Sequence, residues 1–341
     1  MKNILVTGIN GYIGTVLAEK LQKKGYKILG WDTDYFKQIT LGPYKDKYAS
    51  RKLDVRQSNI DLNGIDCIIH LAALSNDPMG ALNEKLTSDI NYKATIKLAK
   101  LAKKMGVKRF IFSSSCAVYG IAKENIVNEK SKINPLTAYA KSKAMVEKEL
   151  KKIAADNFCV CLLRNATVYG FSPRFRNDLV VNNLVTCGLA FGEIRVLSDG
   201  TPWRPLVDVR DLCDIFIKFI EVDKSFVNGE IFNTGFDNSN YQVKDILKVI
   251  KKYLPKCRIV YTGEHGKDTR SYKVNFSKLK KLFPKIIQRW PLKKSIPDLI
   301  EKLNKNKFKK EDFEQGKFER LTILKSLILE KKLDKNLCWK Y

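Results

Sequence analysis

The stretch Thr7-Gly8-Ile9-Asn10-Gly11-Tyr12-Ile13-Gly14 separates a short apolar run from a longer amphipathic one. Gly8 permits a tight turn, Gly11 lets the backbone come close to a diphosphate, and Gly14 allows the following helix to pack closely on the preceding strand. The amino end of that helix then faces the phosphate charge. The stretch therefore predicts a strand, a dinucleotide-binding turn and a helix.

The first half of the chain repeats this alternation of short β-branched runs and longer amphipathic segments. The predicted strands cover residues 3–7, 27–31, 67–71, 110–113 and 160–164, and the clearest helices cover 12–24 and 87–105. Repetition of strand, helix and strand indicates a parallel sheet that is covered by helices on both faces. We therefore predict an α/β fold built on a doubly wound parallel sheet of the Rossmann type.

The pattern becomes irregular after residue 165, where glycines and prolines mark several loops. We expect residues 1–165 to form the dinucleotide-binding domain and residues 166–341 to form mainly a smaller substrate-binding lobe. Within the second part, about 201–230 is expected to return to the first domain. Two amphipathic patterns in residues 296–341 predict C-terminal helices docked on the protein, because acidic residues balance the lysines that flank them.

The second predicted strand is followed by a candidate ribose-binding carboxylate. Asp32 lies 18 residues after Gly14, close to the spacing at which a carboxylate accepts hydrogen bonds from the adenosine ribose. No arginine occupies positions 33–36, where a 2'-phosphate would need one. The predicted cofactor is therefore NAD.

A serine, a tyrosine and a lysine form the candidate catalytic group. Tyr139 and Lys143 are four residues apart at the start of a helical pattern, so they share one face of the helix. An ammonium group near a phenol favours the ionised phenol, which makes Tyr139 a candidate general acid and base. Ser115 ends a predicted strand, at the sheet edge where ligands bind in open parallel sheets, and we expect it beside the reacting oxygen.

The composition is that of a globular protein, with 63 Lys and Arg against 36 Asp and Glu and a formal net charge of +27. Such a charge suits an anionic partner. Only 13 of the 63 basic residues are arginine, and the lysines are scattered along predicted helix faces. We therefore predict solvated lysine faces and no nucleic-acid partner, with electrostatic steering of an acidic substrate as the alternative.

The eight cysteines fall mostly in apolar runs and are predicted to be reduced and buried. The single residue between Cys159 and Cys161 fits neither zinc nor thioredoxin-type spacing, so no metal site is predicted. The chain enters its first apolar run directly, and no apolar stretch of about 18 residues follows. These features favour a cytoplasmic protein with no membrane partner.

Taken together, the motifs resemble those of the extended short-chain dehydrogenase/reductase family, in particular its NAD-dependent nucleotide-sugar epimerases and dehydratases of the UDP-glucose 4-epimerase type. The resemblance covers roughly residues 2–290. The motifs follow the family order: T-G-I-N-G-Y-I-G at 7–14, L-D-V at 53–55, H-L-A-A at 70–73, Asn91, S-S-S-C-A-V-Y-G at 113–120, Y-A-K-S-K at 139–143, L-R-N-A-T-V-Y-G at 163–170 and W-R-P-L-V-D-V-R-D at 203–211.

The resemblance implies a set of site residues. It places Asp54 near the adenine, Leu71 and Ala72 beside the diphosphate, and Lys143 on the nicotinamide ribose. The full cofactor set that we predict is Gly8, Asn10, Gly11, Tyr12, Ile13, Gly14, Asp32, Asp54, Val55, Leu71, Ala72, Ala73, Asn91, Ser113, Tyr139 and Lys143. The substrate set is Ser115, Tyr139, Thr167, Leu179, Arg204 and Arg270, with the arginines suited to a diphosphate, although a structural ion pair is the alternative for each of them.

Departures from the family pattern narrow the chemistry. Sugar 4,6-dehydratases of the family carry an Asp-Glu pair where this sequence has Cys116 and Ala117, so elimination of water by that route is not expected. Cys116 is a candidate second acid, with a packed thiol as the default interpretation. Asp208 occupies a position where the family more often has histidine. His265 falls where some 4-epimerases have a phosphate-binding arginine, a role that Arg270 could take.

The sequence therefore predicts an NAD-dependent nucleotide-sugar epimerase that acts through a 4-keto intermediate on a nucleoside-diphosphate sugar. A nucleotide-sugar 4-dehydrogenase or 4-keto-reductase with net redox is the alternative, because both enzymes use the same three residues. A non-catalytic dinucleotide sensor or RNA-binding protein on the same fold is a third hypothesis. A homodimer, through a helical face near residues 90–105 and 140–155, is implied by the resemblance alone.

Overall fold

A computed structural model of the protein describes residues 1–57, 60–122, 124–263 and 271–340. Within these ranges, seven strands form one fully parallel sheet. Numbering every strand of the structure along the chain, those of this sheet are β1 (Asn3–Thr7), β2 (Lys27–Asp32), β3 (Ala49–Lys52), β4 (Cys67–His70), β5 (Arg109–Ser115), β7 (Cys159–Asn165) and β11 (Glu230–Thr234).

The strand order is β11-β7-β5-β4-β1-β2-β3. The chain therefore proceeds outward from β1 to β3 and then crosses to β4 on the other side of β1. This reversal leaves a crevice at the carboxyl ends of β1 and β4, which is where ligands bind in doubly wound sheets. The predicted fold class is confirmed.

Alternating side chains of each strand bury the two faces of this sheet. Ile4 and Val6 join the apolar cluster that contains the helices α1 (Tyr12–Lys23) and α7 (Val209–Glu221). Leu5, between them, joins the cluster that contains α4 (Thr95–Lys104) and α5 (Ala138–Ile153). Because successive side chains of a strand point to opposite faces, both faces of the sheet are covered.

The remaining strands belong to three small sheets beside the carboxyl edge. β8 (Thr167–Tyr169), β10 (Trp203–Asp208) and β12 (Asn240–Gln242) form one of them; β9 (Glu193–Val196) pairs with β13 (Arg258–Tyr261), and β6 (Ile126–Val127) pairs with β14 (Lys273–Val274). A separate apolar cluster joins α6 (Val180–Phe191), α8 (Val243–Tyr253) and α10 (Leu292–Lys305) in this lobe.

The shorter helices include α2 (Asp77–Gly80) and α3 (Glu84–Thr87), and near the end of the chain α9 (Ser277–Leu282), α11 (Lys310–Glu314) and α12 (Arg320–Leu329). Leu324 of α12, together with Leu333 and Leu337 beyond it, packs in one cluster with Met79 of α2 and with Leu74. The C-terminal segment is thus part of the folded body, on the side of the cleft that follows β2.

Three details differ from the sequence expectations. The helix predicted over 87–105 is divided into α3, a π-helical stretch at Ser88–Ala94, and α4. Seven cysteines are buried and unpaired, but Cys338 is exposed because it lies in the C-terminal segment on the surface. The last strand of the large sheet, β11, covers residues 230–234. It therefore extends slightly past the segment, about 201–230, that was expected to return to the first domain. The division into two domains with separate roles stays a prediction.

None of the helices formed by the described residues is long and apolar enough to cross a bilayer.

Candidate active site

The glycine turn after β1 has the geometry that its spacing predicts. Gly8 has a φ of +73°, a left-handed conformation that favours glycine, and a Cβ there would lie 2.9 Å from the backbone nitrogen of Ala72. A Cβ on Gly14 would lie 2.2 Å from the carbonyl oxygen of Gly8. Side chains at either position would therefore push apart the strand, the turn and α1.

The carboxylate of Asp32 closes the end of β2 beside this turn. It accepts hydrogen bonds from the backbone N–H groups of Asn10 at 2.9 Å and Asp34 at 2.8 Å. Burial raises the pKa of Asp32 to about 6. Each carboxylate oxygen still has a second lone pair, so the group can also accept hydrogen bonds from a ligand's hydroxyls.

Asp54, which the resemblance implies lies near the adenine, borders the same end of the cleft. Its carboxylate is bound by Arg56, with Nε 2.9 Å from Oδ1 and Nη2 2.5 Å from Oδ2. The Nη1 of Arg56 donates in turn to the carbonyl oxygen of Asn336, at 2.8 Å. The C-terminal segment is therefore connected to this wall of the cleft through one arginine.

The start of α5 brings the candidate catalytic residues to the end of β5. Thr137 caps the helix by accepting a hydrogen bond from the N–H of Ala140, so Tyr139 falls in the first turn and Lys143 one turn later. The Lys143 ammonium lies 5.7 Å from the centre of the Tyr139 ring. Ser115, the last residue of β5, borders the same cleft.

Lys143 is held in a nearly closed environment. Its Nζ donates a hydrogen bond of 2.7 Å to the carbonyl oxygen of Ser113 and lies 4.7 Å from the centre of the Phe112 ring. Burial lowers its pKa to about 7, and the negative charge of Glu147 opposes that shift. Glu147 itself forms a buried ion pair with Arg164 at 2.7 Å, so its carboxylate is already bound by a second cation.

Helix α2 packs directly against Tyr139. A Cβ on Gly80 would lie 3.0 Å from the Cβ of Tyr139 and 3.1 Å from its backbone nitrogen. The Thr137 hydroxyl also donates a hydrogen bond to Asp77 of the same helix. The position of the tyrosine is therefore set by α2 as well as by α5.

One continuous cleft of about 940 Å³ collects most of the predicted residues. The predicted cofactor residues that line it are Gly8, Gly11, Tyr12, Ile13, Gly14, Asp32, Asp54, Val55, Leu71, Ala72, Ala73, Ser113, Tyr139 and Lys143. The predicted substrate residues that line it are Ser115, Tyr139, Thr167, Leu179 and Arg204. Arg270, and His265 near it, lie outside the described residues.

Two predicted cofactor residues are not in the lining of this cleft. Asn91, on the π-helical stretch, accepts a hydrogen bond from the N–H of Leu74 and donates to its carbonyl oxygen and to Ser142. Asn10 donates through its side chain to Asp34. Their amide groups hold neighbouring parts of the protein, so any effect on a ligand is exerted through those parts.

Cys116 and Asp208 also have structural partners. The Cys116 thiol is buried, donates to the carbonyl oxygen of Arg164, and has a raised pKa because of its burial. Asp208 caps α7 by accepting a hydrogen bond from the N–H of Arg210 and forms an ion pair with its guanidinium at 2.8 Å. These contacts agree with the packed-thiol interpretation of Cys116.

Several residues of the cleft were missed by the sequence reasoning. They are Asn76 just before α2, the ion pair of Arg176 and Asp178, and Arg320 at the start of α12. Gly80 of α2, which packs against Tyr139 from outside the lining, was missed as well. The sequence S-P-R-F-R-N-D at 172–178, with its two closely spaced arginines, was an available signal for Arg176. Nothing in the local pattern around Arg320 distinguishes it from the other basic residues of the C-terminal helices.

Comparison with protein-family models gives a match to the NAD dependent epimerase/dehydratase family over residues 4–235, more than half of the chain. The chain belongs to that family. It is accordingly an NAD-dependent enzyme of the extended short-chain dehydrogenase/reductase type, as the motifs predicted. The match includes the glycine turn, Ser115, Tyr139 and Lys143, and it ends just after β11.

Two curated relatives are named as 4-epimerases. A UDP-glucose 4-epimerase of Bacillus subtilis is 29% identical over 282 residues, which cover 73% of this chain and 81% of the relative. A UDP-glucuronate 4-epimerase of Thermodesulfobacterium geofontis is 25% identical over 313 residues, which cover 86% of this chain and 94% of the relative.

Among solved structures, an NAD-dependent NDP-hexosamine 5,6-dehydratase of tunicamycin biosynthesis superposes with a TM-score of 0.79 at 20% identity, over 89% of this chain and 98% of that one. At this level of identity the likeness concerns the fold alone. Because a dehydratase shares the fold, the chemistry must be argued from the side chains of the cleft.

Proposed function

We propose that this family member is a nucleoside-diphosphate-sugar 4-epimerase, with UDP-hexoses or UDP-hexuronates as substrates. The observation that carries the proposal is the convergence of Ser115, Tyr139 and Lys143 on the cleft that also holds the glycine turn. The names of the two curated relatives support carbon 4 of the sugar as the reacting carbon and UDP as the nucleotide of the substrate. The absence of the Asp-Glu pair at positions 116 and 117 speaks against 4,6-elimination.

The residues present fit NAD. A Cβ on Gly8 or Gly14 would meet the backbone of Ala72 or of the turn itself, so these glycines keep the turn tight. Gly11 lines the cleft between them without a side chain that would hold a diphosphate away from the backbone. Asp32 would accept hydrogen bonds from the adenosine ribose, and its negative charge disfavours a 2'-phosphate at the same place. Lys143 would hold the nicotinamide ribose.

Bound NAD would supply the acceptor for the hydride that leaves carbon 4 of the sugar and the donor for its return to the opposite face. Tyr139 takes the proton from the 4-hydroxyl group as the carbon–hydrogen bond breaks, which leaves a 4-keto sugar. Ser115 donates a hydrogen bond to the reacting oxygen. After the sugar ring has turned over, Tyr139 returns the proton to that oxygen, so the reaction has no net redox change.

Lys143 acts on Tyr139 through charge. Its ammonium group is held by a hydrogen bond to the Ser113 carbonyl oxygen and by contact with the Phe112 ring. From there its positive charge favours the ionised phenol as the proton is removed. The low pKa of Lys143 results from its burial. A phenolate close by would favour the charged lysine, so the two groups favour each other's ionised form.

Thr167, Leu179 and Arg204 are proposed to bind the nucleotide-sugar substrate. All three line the cleft: Thr167 begins β8, Arg204 belongs to β10, and Leu179 immediately precedes α6. Arg204 presents a planar group that suits a diphosphate. Arg270 is retained as a proposed substrate residue on the strength of the family resemblance.

Analysis of the bound nucleotide tests the cofactor part of the proposal. Purified protein is denatured, and the released nucleotide is identified by mass spectrometry and by its absorbance. We expect close to one NAD per chain, predominantly oxidised, because an epimerase regenerates its cofactor in each cycle. An empty site that binds NADPH in preference to NAD would overturn the proposal in favour of a reductase.

We also propose a homodimer through the surface of α4 and α5, and a cytoplasmic location. Met145 on α5 is 45% exposed, and Ile96 on α4 and Tyr92 on the π-helical stretch are only partly buried. Light scattering with the wild type and with Met145→Glu tests the dimer: we expect two chains per particle for the former and one for the latter. A monomeric wild type would contradict this assembly.

A further inference from the structure

Arg320 is a buried arginine that the reaction described above does not use. It is the first residue of α12 and borders the cleft, although only 2% of its surface is exposed. Its guanidinium carbon lies 4.4 Å from the centre of the Phe36 ring, which belongs to the segment after β2. Arg320 therefore lies beside the segment that follows Asp32 at the end of β2.

The hydrogen bonds of Arg320 are incomplete. Nη2 donates to the carbonyl oxygen of Arg174 at 2.8 Å, whereas Nη1 is enclosed and has no hydrogen-bond partner among the described residues. A buried donor that lacks a partner costs free energy, and a buried charge costs more. Such an atom at the edge of a ligand cleft indicates that a partner is supplied from elsewhere.

Neighbouring carboxylates are already engaged with other groups. Arg174 pairs with Asp46 at 3.1 Å, and Arg176 pairs with Asp178 at 2.8 Å. In the part of the chain that the structure describes, Arg320 forms no ion pair. Burial and the positive charge of Arg176 lower the pKa of Arg320 to about 9, with Asp178 and Asp32 opposing the shift. Of the three arginines in this corner, Arg320 is therefore the one that has no carboxylate within ion-pair distance among the described residues.

We propose that Arg320 binds a diphosphate in the cleft, and that this diphosphate is the one in NAD. A diphosphate supplies both the negative charge and the acceptor that Arg320 lacks. This inference rests on the proposed function, in that it assumes an NAD site. The position of Arg320 beside Phe36, in the segment that follows Asp32, favours the cofactor over the sugar nucleotide, whose proposed residues Thr167 and Arg204 lie on β8 and β10.

The C-terminal segment reinforces this assignment through contacts with the same wall. The Trp339 indole N–H donates to the carbonyl oxygen of Thr33 at 2.7 Å, and the Tyr35 hydroxyl donates to the carbonyl oxygen of Leu337. Arg320 thus belongs to a segment that covers the adenosine end of the cleft. Docking of this segment and binding of NAD are therefore expected to stabilise each other.

The test compares two variants with a matched control, using protein from which bound nucleotide has been removed. Arg320→Met removes the charge and keeps the side chain long, Arg320→Lys keeps the charge without the planar group, and Lys325→Met changes an exposed residue of the same helix. Calorimetric titration with NAD should show Kd raised about 10- to 100-fold for Arg320→Met, the loss of a charged hydrogen bond. The Kd of Arg320→Lys for NAD should lie between those of the wild type and Arg320→Met, and the Kd of Lys325→Met should equal that of the wild type.

Thermal melting separates ligand binding from a structural role. Without NAD, Arg320→Met should melt no lower than the wild type, because the variant loses an unpaired buried charge. With saturating NAD, its melting temperature should rise less than that of the wild type. A large fall in the melting temperature of the nucleotide-free variant, with an unchanged NAD-induced rise, would overturn the proposal.

Parallel titration with UDP distinguishes the two sources of diphosphate. Weaker binding of NAD with unchanged binding of UDP supports the proposal. Weaker binding of UDP alone would assign Arg320 to the substrate and overturn the NAD assignment while leaving the epimerase proposal intact. If the wild type itself bound no NAD, the proposed function would fall together with this inference.

Discussion

The Lys143 ammonium group donates a 2.7 Å hydrogen bond to the carbonyl oxygen of Ser113, the residue two positions before Ser115 on β5. A single contact therefore fixes the helix that carries Tyr139 to the strand that carries the active-site serine. Because β5 is paired with a strand on each side, the candidate catalytic group is attached to an interior strand of the sheet.

The burial of Lys143 should be visible in the stability of the NAD-free protein. Its pKa of about 7 lies below the ordinary value of 10.5, so the unfolded chain binds more protons between these pH values, and the free energy of unfolding rises with pH across that window. Lys143→Met should be more stable than the wild type at pH 7, by on the order of 2 kcal/mol, and the difference should shrink as the pH approaches 10.

Urea denaturation over this pH range measures the effect. Lys141→Met, an exposed lysine of the same helix, serves as the control. If the difference between Lys143→Met and the wild type did not depend on pH, the lysine would not be buried as described.

Removal of the Tyr139 hydroxyl should abolish turnover and spare the cofactor. Tyr139→Phe keeps the ring and deletes the group that exchanges the proton, so kcat should fall by about 10²- to 10⁴-fold or more. The amount of NAD retained through purification should stay the same. Tyr253→Phe, an exposed tyrosine bonded to the Lys293 carbonyl oxygen, is the matched control. Full activity of Tyr139→Phe would remove the tyrosine from the mechanism.

Asp32 should make NAD binding depend on pH. Its pKa is raised to about 6, and only the ionised carboxylate has all its lone pairs free to accept hydrogen bonds from the ribose. The affinity for NAD should therefore fall as the pH drops through about 6, approaching tenfold per unit below it. Asp32→Asn should bind NAD more weakly at neutral pH and lose this dependence.

Titration calorimetry with NAD between about pH 5 and pH 8 measures this dependence. Asp211→Asn is a suitable control, since the pKa of Asp211 is likewise raised to about 6 by burial, but its carboxylate accepts from the N–H groups of Arg289 and Trp290. An affinity that is constant through pH 6 would argue against ribose binding by Asp32.

Gly80→Ala tests how tightly the position of Tyr139 is controlled. The new Cβ would lie 3.0 Å from that of Tyr139, so α2 or the start of α5 must shift by a few tenths of an ångström. We expect kcat to fall about tenfold with NAD content unchanged, since small displacements of a catalytic group are costly. Ala81→Ser, at the next and exposed position, should have wild-type kcat. Equal activity of Gly80→Ala would show that Tyr139 tolerates the displacement.

Much of the fold was predictable because its determinants are local. The glycine turn, the apolar runs of β1, β4, β5 and β7, and the spacing of Tyr139 and Lys143 all lie within short segments. Their periodicity and conformational requirements can be recognised without knowledge of distant contacts. The carboxyl edge of a parallel sheet then brings the ends of those segments together.

The C-terminal part of the cleft was not predictable in this way. Arg320 and Arg174 are 146 residues apart in the chain, and neither a local pattern nor the family motifs connect them. The contact of Gly80 with Tyr139 likewise depends on the packing of two helices. Asn10 and Asn91 were predicted from motif positions, but the environment of a side chain, which decides whether it faces a ligand or the protein, is set by tertiary structure.

The most direct test of the central claim follows the hydrogen on carbon 4 of the substrate. UDP-glucose or UDP-glucuronate carrying deuterium at that carbon is incubated with the purified protein, and the sugar products are analysed by NMR. We expect the C4 epimer with deuterium still on carbon 4, because the hydride is removed and returned within the same site. Deuterium transferred to carbon 6, or lost to released NADH with formation of a keto sugar, would show a dehydratase or a net dehydrogenase and contradict the proposed epimerase.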